Sequence, residues 1–234
     1  LVKSESFNKF STSLDFGYIA EQIKHRGPDS KKSFCSKYFD AYFYRLSIRD
    51  TSSHSDQPIE TQCKRYIFVF NGELYGYKDN KDNDKFISES DTNFLSKFIS
   101  KKGIECLSFL RGMFAICIYD RLKNEYFFVR DSIGIKPLFY RYFFNNYGEK
   151  IALLICSEQS PILETIPKRE LNSKQAMRFL KMGVSADQEE TFFDGIKRFL
   201  PGNIYKLSNN NFELSKFELE TNLDRLELNS SKEF

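Results

Sequence analysis

The sequence predicts an α+β protein whose sheets are mostly antiparallel. Strand-like runs extend from the first part of the chain to the last, and the predicted helices do not alternate regularly with them. The chain has 234 residues, of which 41% are hydrophobic, and this is enough to bury a substantial core. We therefore expect a globular fold of one large domain or two small ones, and not a doubly wound parallel sheet.

The first part of the chain is predicted to hold a short helix and two strands. The helix covers 14–24, where two isoleucines lie one turn apart, and it ends at Gly27-Pro28. Residues 41–48 are predicted to form a strand, since aromatic and polar residues partly alternate there. Residues 65–70 are predicted to form a second strand, because 66–70 are five apolar residues in a row, which is typical of a strand buried on both faces.

Two longer helices carry clear end signals. Ser90 and Asp91 cap the first of them, and Gly103 closes it. Its apolar stripe consists of Phe94, Leu95, Phe98 and Ile99. The second covers 172–182 and ends at Gly183.

The second half of the chain is otherwise rich in strands. Further strands are predicted over 113–119, 126–130, 138–144 and 151–156, with a closing hairpin over 203–207 and 212–217. Residues 77–86 are rich in Asn, Asp and Lys and are predicted to form an exposed loop. From about 218 the chain becomes charged and loses periodicity, so we predict a domain over 1–217 and a linker or disordered tail over 218–234.

The apolar run 66–70 is followed directly by Asn71, Gly72 and Glu73. Asn71 offers a side-chain NH2 donor, and Gly72 offers a backbone N–H with no Cβ to block close approach. Two neighbouring donors at the end of a rigid strand can hold a developing oxyanion. The alternative is a hairpin turn, since Asn-Gly is the strongest short turn signal.

Composition excludes several function classes. The 35 basic and 32 acidic side chains are interspersed and leave a net charge of +3, too balanced to indicate a nucleic acid or an anionic membrane as partner.

The five cysteines form no CxxC pair, so we expect no metal site, and their odd number favours a reducing compartment. No apolar run is long enough to span a bilayer, and we expect a cytoplasmic location.

Several stretches match one family pattern in their order and spacing. The first four are 25–30; 45–48 with Gln57-Pro58; Asn71-Gly72-Glu73 with Ser90-Asp91; and 130–138. Two later stretches, 157–158 and 191–202, agree with the same pattern. Over roughly residues 14–217, the chain resembles the class II glutamine amidotransferase domain of asparagine synthetases.

The resemblance implies a four-layer αββα N-terminal-nucleophile sandwich, in which two mostly antiparallel sheets stack face to face between outer helices. It also implies glutamine as ammonia donor and a nucleophilic cysteine as the first residue of the mature chain, in a Cys-Gly-Ile start. This sequence departs there, because it opens with Leu1-Val2-Lys3-Ser4 and no cysteine precedes Cys35. We expect Cys-Gly-Ile to belong ahead of Leu1, so that the chain as printed would be inactive. Natural loss of the nucleophile is the alternative.

Roles for individual residues follow from the same resemblance. Asn71 and Gly72 match the catalytic oxyanion donors. Arg45 matches the residue that grips the α-carboxylate of glutamine, and its planar fork suits that group. Asp91 matches the acidic residue near the α-amine, with Glu73 close by. The alternatives are a surface arginine for Arg45 and a plain helix N-cap for Asp91.

The loop that precedes the first predicted strand is given a supporting role. We expect Arg26 and Gly27 to shape the wall around the nucleophile without contacting the substrate. The stretch 130–138 is expected to be structural, and His25 and His54 are expected to be exposed loop residues.

The implied partner is a C-terminal ATP-pyrophosphatase synthetase domain, in cis or in trans. Its Ser-Gly-Gly-x-Asp-Ser loop does not occur in this sequence, and no Gly-rich stretch resembles a phosphate cradle. We therefore expect no cofactor in this domain, with ATP and Mg²⁺ confined to the synthetase part. Two alternatives to an enzyme stay open: a scaffold that keeps the fold without a nucleophile, and a binding module for amino acids.

Overall fold

The computed structural model describes residues 1–7, 14–47, 55–76, 90–209 and 212–219. The strands within these ranges are β1 (Val2–Lys3), β2 (Ser30–Cys35), β3 (Asp40–Arg45), β4 (Ile59–Glu60), β5 (Tyr66–Leu74), β6 (Gly112–Asp120), β7 (Glu125–Arg130), β8 (Phe139–Phe144), β9 (Lys150–Cys156), β10 (Lys197–Arg198), β11 (Ile204–Ser208) and β12 (Leu214–Lys216). The α-helices are α1 (Phe16–Glu21), α2 (Asp91–Lys102), α3 (Ser160–Leu163) and α4 (Ser173–Met182), with 3-10 helices at Lys24–Arg26 and Gly103–Phe109.

The strands form two main sheets and one hairpin. The larger sheet has the order β12-β11-β7-β6-β5-β4, and the smaller has the order β1-β9-β8-β10. Among the described strands, β2 and β3 pair only with each other. Each strand pair in the described ranges is antiparallel, as the distribution of strands in the sequence predicts.

Three hydrophobic cores lie between four layers. The central core joins the two sheets and includes Ile67 of the larger sheet and Leu153 of the smaller. On the outer face of the larger sheet, Phe68 packs with Ile99 of α2. On the outer face of the smaller sheet, Leu154 packs with residues of α1 and α3. This arrangement confirms the α+β sandwich with helices on both outer faces.

Most predicted elements are present. Two of them differ in their bounds, and the strand β2 was not predicted. The first helix is shorter than 14–24, because it ends at Glu21 and Lys24–Arg26 continues as a separate 3-10 helix. The apolar strand does not stop at Asn71-Gly72 and does not turn there, because β5 continues in register with β6 as far as Leu74. Strand β2 was not predicted, since most of its side chains are exposed and polar and it lacks an apolar alternation.

Several expectations concern residues outside the described ranges. These are the loop over 77–86, His54, and the tail beyond residue 219. The domain boundary near residue 217 therefore stays a prediction. Among the described helices, none combines the length and apolar character needed to cross a bilayer.

Candidate active site

A cavity of about 700 Å³ opens where the ends of the two sheets meet the β2–β3 hairpin and the start of α2. Six of the seven residues singled out from the sequence line it: Arg26, Arg45, Asn71, Gly72, Glu73 and Asp91. Gly27 does not line the cavity and lies behind its wall. The fold therefore brings together residues that are up to 65 positions apart in the chain, counting from Arg26 to Asp91.

Asn71 projects from β5 into the space between the sheets. Successive side chains of a strand point to opposite faces, and its neighbours Phe68 and Phe70 face α2 instead. The side-chain nitrogen Nδ2 of Asn71 is buried and has no hydrogen-bond partner among the described residues. Because an unsatisfied buried donor typically costs about 1–3 kcal/mol, a ligand oxygen placed there would recover that free energy.

The backbone N–H of Gly72 is directed at the same cavity. Gly72 stands opposite Phe114 of β6, but the backbone of Phe114 bonds Asp131 instead. The Phe114 C=O accepts from the Asp131 N–H at 2.9 Å, and the Phe114 N–H donates to the Asp131 carboxylate at 3.2 Å. Two positions earlier, the N–H and C=O of Phe70 bond the side chain of Gln57 at the opposite edge of β5. Since alternate residues of an antiparallel strand present their backbone groups to the same edge, the Gly72 N–H also faces that edge, beyond Gln57.

Only glycine fits at position 72. Its φ is +149°, and a Cβ built there would lie 2.0 Å from the carbonyl oxygen of Met113. The missing side chain lets β5 and β6 stay paired while the backbone at Gly72 borders the cavity. The pairing of β5 with β6 and the access of a ligand to the backbone thus both depend on the missing side chain of Gly72.

Arg45 supplies a cationic side chain at the end of β3. It is only 9% exposed, so it is not the surface arginine that the sequence left as an alternative. Its Nη1 donates to Oδ1 of Asp56 at 2.8 Å, and the Ser30 hydroxyl donates to the same oxygen at 2.9 Å. Burial acts to raise the pKa of the Asp56 carboxyl, but these hydrogen bonds outweigh burial, and the pKa lies below its usual value.

Glu73 and Asp91 form the acidic side of the cavity. Asp91 is the first residue of α2, while the N-cap is Ser90, whose hydroxyl accepts from the N–H of Asn93. The simple capping role for Asp91 is therefore wrong. Its carboxylate accepts from the N–H of Thr92 at 2.9 Å and weakly from that of Leu74 at 3.4 Å. These contacts hold a carboxylate beside the end of β5, and Asp91 and the cationic Arg45 line the same cavity.

Arg26 and Gly27 act on the cavity in different ways. Arg26 lines it and bonds Glu158 at 2.8 Å, and the exposed His25 bonds the same carboxylate at 3.0 Å. A Cβ at Gly27 would lie 2.3 Å from the carbonyl oxygen of Tyr44, so the loop can approach β3 closely only with glycine there. Gly27 thus lets the loop pack against the strand that carries Arg45, and its supporting role around the nucleophile stays a prediction.

Comparison with known proteins bears directly on this constellation. A family described as the glutamine amidotransferase domain matches residues 7–218, which is nearly the whole chain. The chain belongs to this glutamine amidotransferase family. The order of motifs in the sequence and the four layers of the fold agree with that assignment.

Several relatives of this amidotransferase domain are named as asparagine synthetases. It is 31% identical to asparagine synthetase [glutamine-hydrolyzing] 2 of Bacillus subtilis, over 81% of this chain and 26% of that protein. It is 28% identical to the putative asparagine synthetase [glutamine-hydrolyzing] 2 of Methanocaldococcus jannaschii, over 95% of this chain and 44% of that protein. With asparagine synthetase B of Escherichia coli, identity is 32% over 63% of this chain and 27% of the protein. The chain thus spans between a quarter and a half of these relatives.

The cysteines that line the amidotransferase cavity are poor nucleophiles. Cys117 and Cys156 both border it, but burial raises the pKa of Cys117 to about 12 and also raises that of Cys156. A thiol is reactive as the thiolate, so neither is ionised near neutral pH. The described residues also hold no group of three His, Cys, Asp or Glu side chains that could bind a metal ion.

Sequence reasoning missed the residues that hold the cavity walls in place. Asp56 was not identified, and Gln57 was recognised only as part of a motif, with no role assigned. Glu158, the partner of Arg26, was likewise noted only within a matching stretch. No local pattern marks such residues, because their partners lie 11, 13 and 132 positions away in the chain.

Proposed function

We propose that this domain hydrolyses glutamine to glutamate and ammonia, with a nucleophilic cysteine that precedes Leu1 in the natural chain. The observation that carries the proposal is the buried, unpartnered Nδ2 of Asn71 beside the cavity-facing N–H of Gly72. Two convergent donors of this kind suit the negative oxygen of a tetrahedral intermediate. Arg45 and the acidic pair Glu73 and Asp91 would hold the carboxylate and the ammonium of a free amino acid.

The register of β1 supports the position of the nucleophile. Val2 pairs with Leu153 and Lys3 with Ala152, so Leu1 would stand opposite Leu154. In an antiparallel pair, the three positions ahead of Leu1 would stand opposite Ile155, Cys156 and Ser157, and all three of these residues line the cavity. A cysteine in a Cys-Gly-Ile start would therefore lie opposite Ser157.

A second, smaller cavity supports the same path. It has a volume of about 140 Å³, lies at Leu1, and shares Tyr42, Val69 and Cys117 with the larger cavity. A strand rises about 3.3 Å per residue, so three further residues would advance about 10 Å along this path. A continued β1 would thus lead from Leu1 towards Asn71.

The proposed reaction needs only these groups and one water molecule. The cysteine thiolate attacks the side-chain amide carbon of glutamine, and the carbonyl oxygen becomes an oxyanion held by Asn71 and Gly72. The chain's own α-amine carries the thiol proton to the leaving nitrogen, the C–N bond breaks, and ammonia departs. Water then hydrolyses the thioester, which releases glutamate and restores the thiol.

The destination of the ammonia is also part of the proposal. The relatives are named as glutamine-hydrolysing asparagine synthetases and are longer than this chain, so we propose a synthetase domain, in cis or in trans, as the recipient. ATP and Mg²⁺ are assigned to that domain and no cofactor to this one. The cytoplasmic location stays a prediction.

The test compares chains that differ only at the proposed nucleophile. A chain that starts Cys-Gly-Ile ahead of Leu1 should release glutamate from glutamine. The same chain with Ser in place of that Cys should bind glutamine in calorimetry and release none. Equal release by both chains would exclude the cysteine mechanism. Binding without release by the Cys chain would favour the scaffold or binding-module alternatives. The codons directly upstream of Leu1 give an independent check.

A further inference from the structure

We infer that Ser55, Asp56 and Gln57 are the positioning residues of this site and set the spacing between its three groups, an inference that rests on the proposed function. Each of these consecutive residues bonds a different element that carries a candidate substrate-contacting residue. The segment they form, called here the 55–57 brace, ties the start of α2, the end of β3 and the end of β5 to one another.

Ser55 ties the brace to the acidic side of the cavity. Its hydroxyl lies 2.9 Å from the hydroxyl of Ser90, and both side chains are buried. Ser90 is the N-cap of α2, and Asp91 follows it directly. A shift of Ser55 would therefore move the start of the helix that presents the Asp91 carboxylate.

Asp56 ties the brace to the cationic side. Its Oδ1 accepts from Arg45 Nη1 at 2.8 Å and from the Ser30 hydroxyl at 2.9 Å, which joins both strands of the β2–β3 hairpin. Lys32 of the same hairpin donates to the backbone carbonyl of Asp56 at 3.1 Å. These contacts hold the guanidinium on one side. A substrate carboxylate would approach it from the other side, which faces the cavity.

The side chain of Gln57 bonds the edge of β5 in the place where the backbone of a neighbouring strand would otherwise pair. Its amide donates to the C=O of Phe70 at 2.8 Å and accepts from the N–H of Phe70 at 2.5 Å. In the register of β4 and β5, Ile59 pairs with Phe68, so a continued β4 backbone would place residue 57 against Phe70 and residue 55 against Gly72. Because the Gln57 side chain bonds Phe70 instead, no described strand backbone covers the edge of β5 at Gly72.

Two of the contacts, those of Gln57 and Asp56, predict separable kinetic effects. Gln57 acts through the strand that holds the oxyanion donors, which are needed most in the transition state, so its loss should lower kcat. Asp56 acts through the residue that grips the ground-state substrate, so its loss should raise KM. A purely structural role would instead lower the amount of folded protein without separating kcat from KM.

Thr61 offers a matched control, because it bonds the same strand, β5. Its hydroxyl bonds the C=O of Tyr66 at 3.1 Å and accepts from the N–H of Tyr66 at 3.2 Å, so it braces the far end of β5 as Gln57 braces the near end. Thr61 is buried and does not line the cavity. Thr61→Ala should therefore lower thermal stability and leave both kinetic constants unchanged.

The experiment uses the chain that starts Cys-Gly-Ile, with glutamine as substrate and probe. Gln57→Ala should lower kcat about 100-fold with KM within about threefold, since small misplacements at a reacting centre have effects of this size. Asp56→Asn should raise KM, and the dissociation constant from calorimetry, about tenfold or more. If Gln57→Ala does not fold, Gln57→Glu, which keeps the acceptor for Phe70 N–H, is measured in its place.

The possible failures are distinguishable. Equal kinetic losses in the Gln57 and Thr61 variants, or one common pattern for the Asp56 and Gln57 variants, would overturn the brace and leave glutamine hydrolysis standing. If the unsubstituted chain binds glutamine and releases no glutamate, the proposed hydrolysis fails. The brace is then decided by calorimetry alone: weaker glutamine binding only in Asp56→Asn supports it, and equal binding in all variants overturns it.

Discussion

Asn71 carries a buried amide nitrogen that bonds no other described residue, on a strand whose other members are largely apolar. A polar side chain in this position does not help the fold, because water is lost and no protein partner replaces it. The packing of the fold does require glycine at the neighbouring position 72, since any side chain there would collide with β6. At the scale of the residue, packing against β6 therefore explains why position 72 is glycine, whereas no packing contact explains the unpartnered nitrogen of Asn71.

This separation yields a prediction for Asn71→Ala in the chain that starts Cys-Gly-Ile. Losing one oxyanion donor should lower kcat about 100- to 1,000-fold, with a small change in KM. Thermal stability should not fall, because the substitution removes an unsatisfied buried donor. Steady-state kinetics and a melting curve test this. Asn209→Ala is the control: its Nδ2 bonds Asn124 Oδ1 at 2.9 Å, away from the cavity, so turnover should be unchanged. A variant with wild-type kcat would exclude Asn71 as a donor.

At the scale of the element, Asp131 joins the end of β7 to the start of β6. Its carboxylate accepts from the backbone N–H groups of Phe114, Ile133, Ile135 and Lys136, at 2.9 to 3.3 Å. Burial acts to raise the pKa of Asp131, but the backbone hydrogen bonds outweigh it, so the pKa is lowered. The loop after β7 is thus organised by one ionised side chain, as expected for a structural stretch.

The lowered pKa gives a pH-dependent prediction. The contribution of Asp131 to stability is fully present above the unfolded carboxyl pKa of about 3.9 and is lost as pH falls through the lower folded value. Asp131→Asn should cost about 1–3 kcal/mol of unfolding free energy at pH 7. The difference from the unsubstituted chain should shrink in strong acid, as measured by urea unfolding at several pH values. Asp194→Asn, at an exposed turn, should change stability by less than about 0.5 kcal/mol. A pH-independent difference would contradict the role of the charge.

At the scale of the whole molecule, the cavity is formed where both sheets, the hairpin and α2 meet. Residues as far apart in sequence as Arg26, Asn71 and Ser157 border the same space. Ligands that bind a folded cavity of this kind raise its melting temperature by mass action. The substrate and cofactor proposals can therefore be tested without catalysis.

Glutamine should stabilise the chain that starts Cys-Gly-Ile with Ser in place of Cys, by about 2.7 kcal/mol at a concentration 100 times the dissociation constant. ATP with Mg²⁺ should not change its melting temperature, because we assign the nucleotide site to the synthetase domain. Scanning fluorimetry with each ligand tests both points, and Arg45→Ala should remove the effect of glutamine. A shift with ATP and Mg²⁺ would contradict the assignment of the cofactors.

The sequence predicted the helix that starts after Ser90 and ends at Gly103, and the continuous apolar strands β5, β6 and β9, because their signals are short-range. Apolar runs and end residues depend on neighbours within a few positions, and these are the same in any fold. The family motifs likewise indicated Arg45, Asn71 and Asp91 as members of one site. By itself, the sequence thus determined the fold class, the family and a candidate set of substrate contacts.

Only the tertiary structure decided how those contacts are held. The side chain of Gln57 stands where a strand would otherwise pair with Phe70, and the carboxylate of Asp56 orients Arg45. These bonds join residues 11 and 13 positions apart, and the sequence around each residue does not indicate its partner. Long-range pairing determines which buried polar groups find partners, and that is why the unpartnered nitrogen of Asn71 becomes visible only in the folded chain.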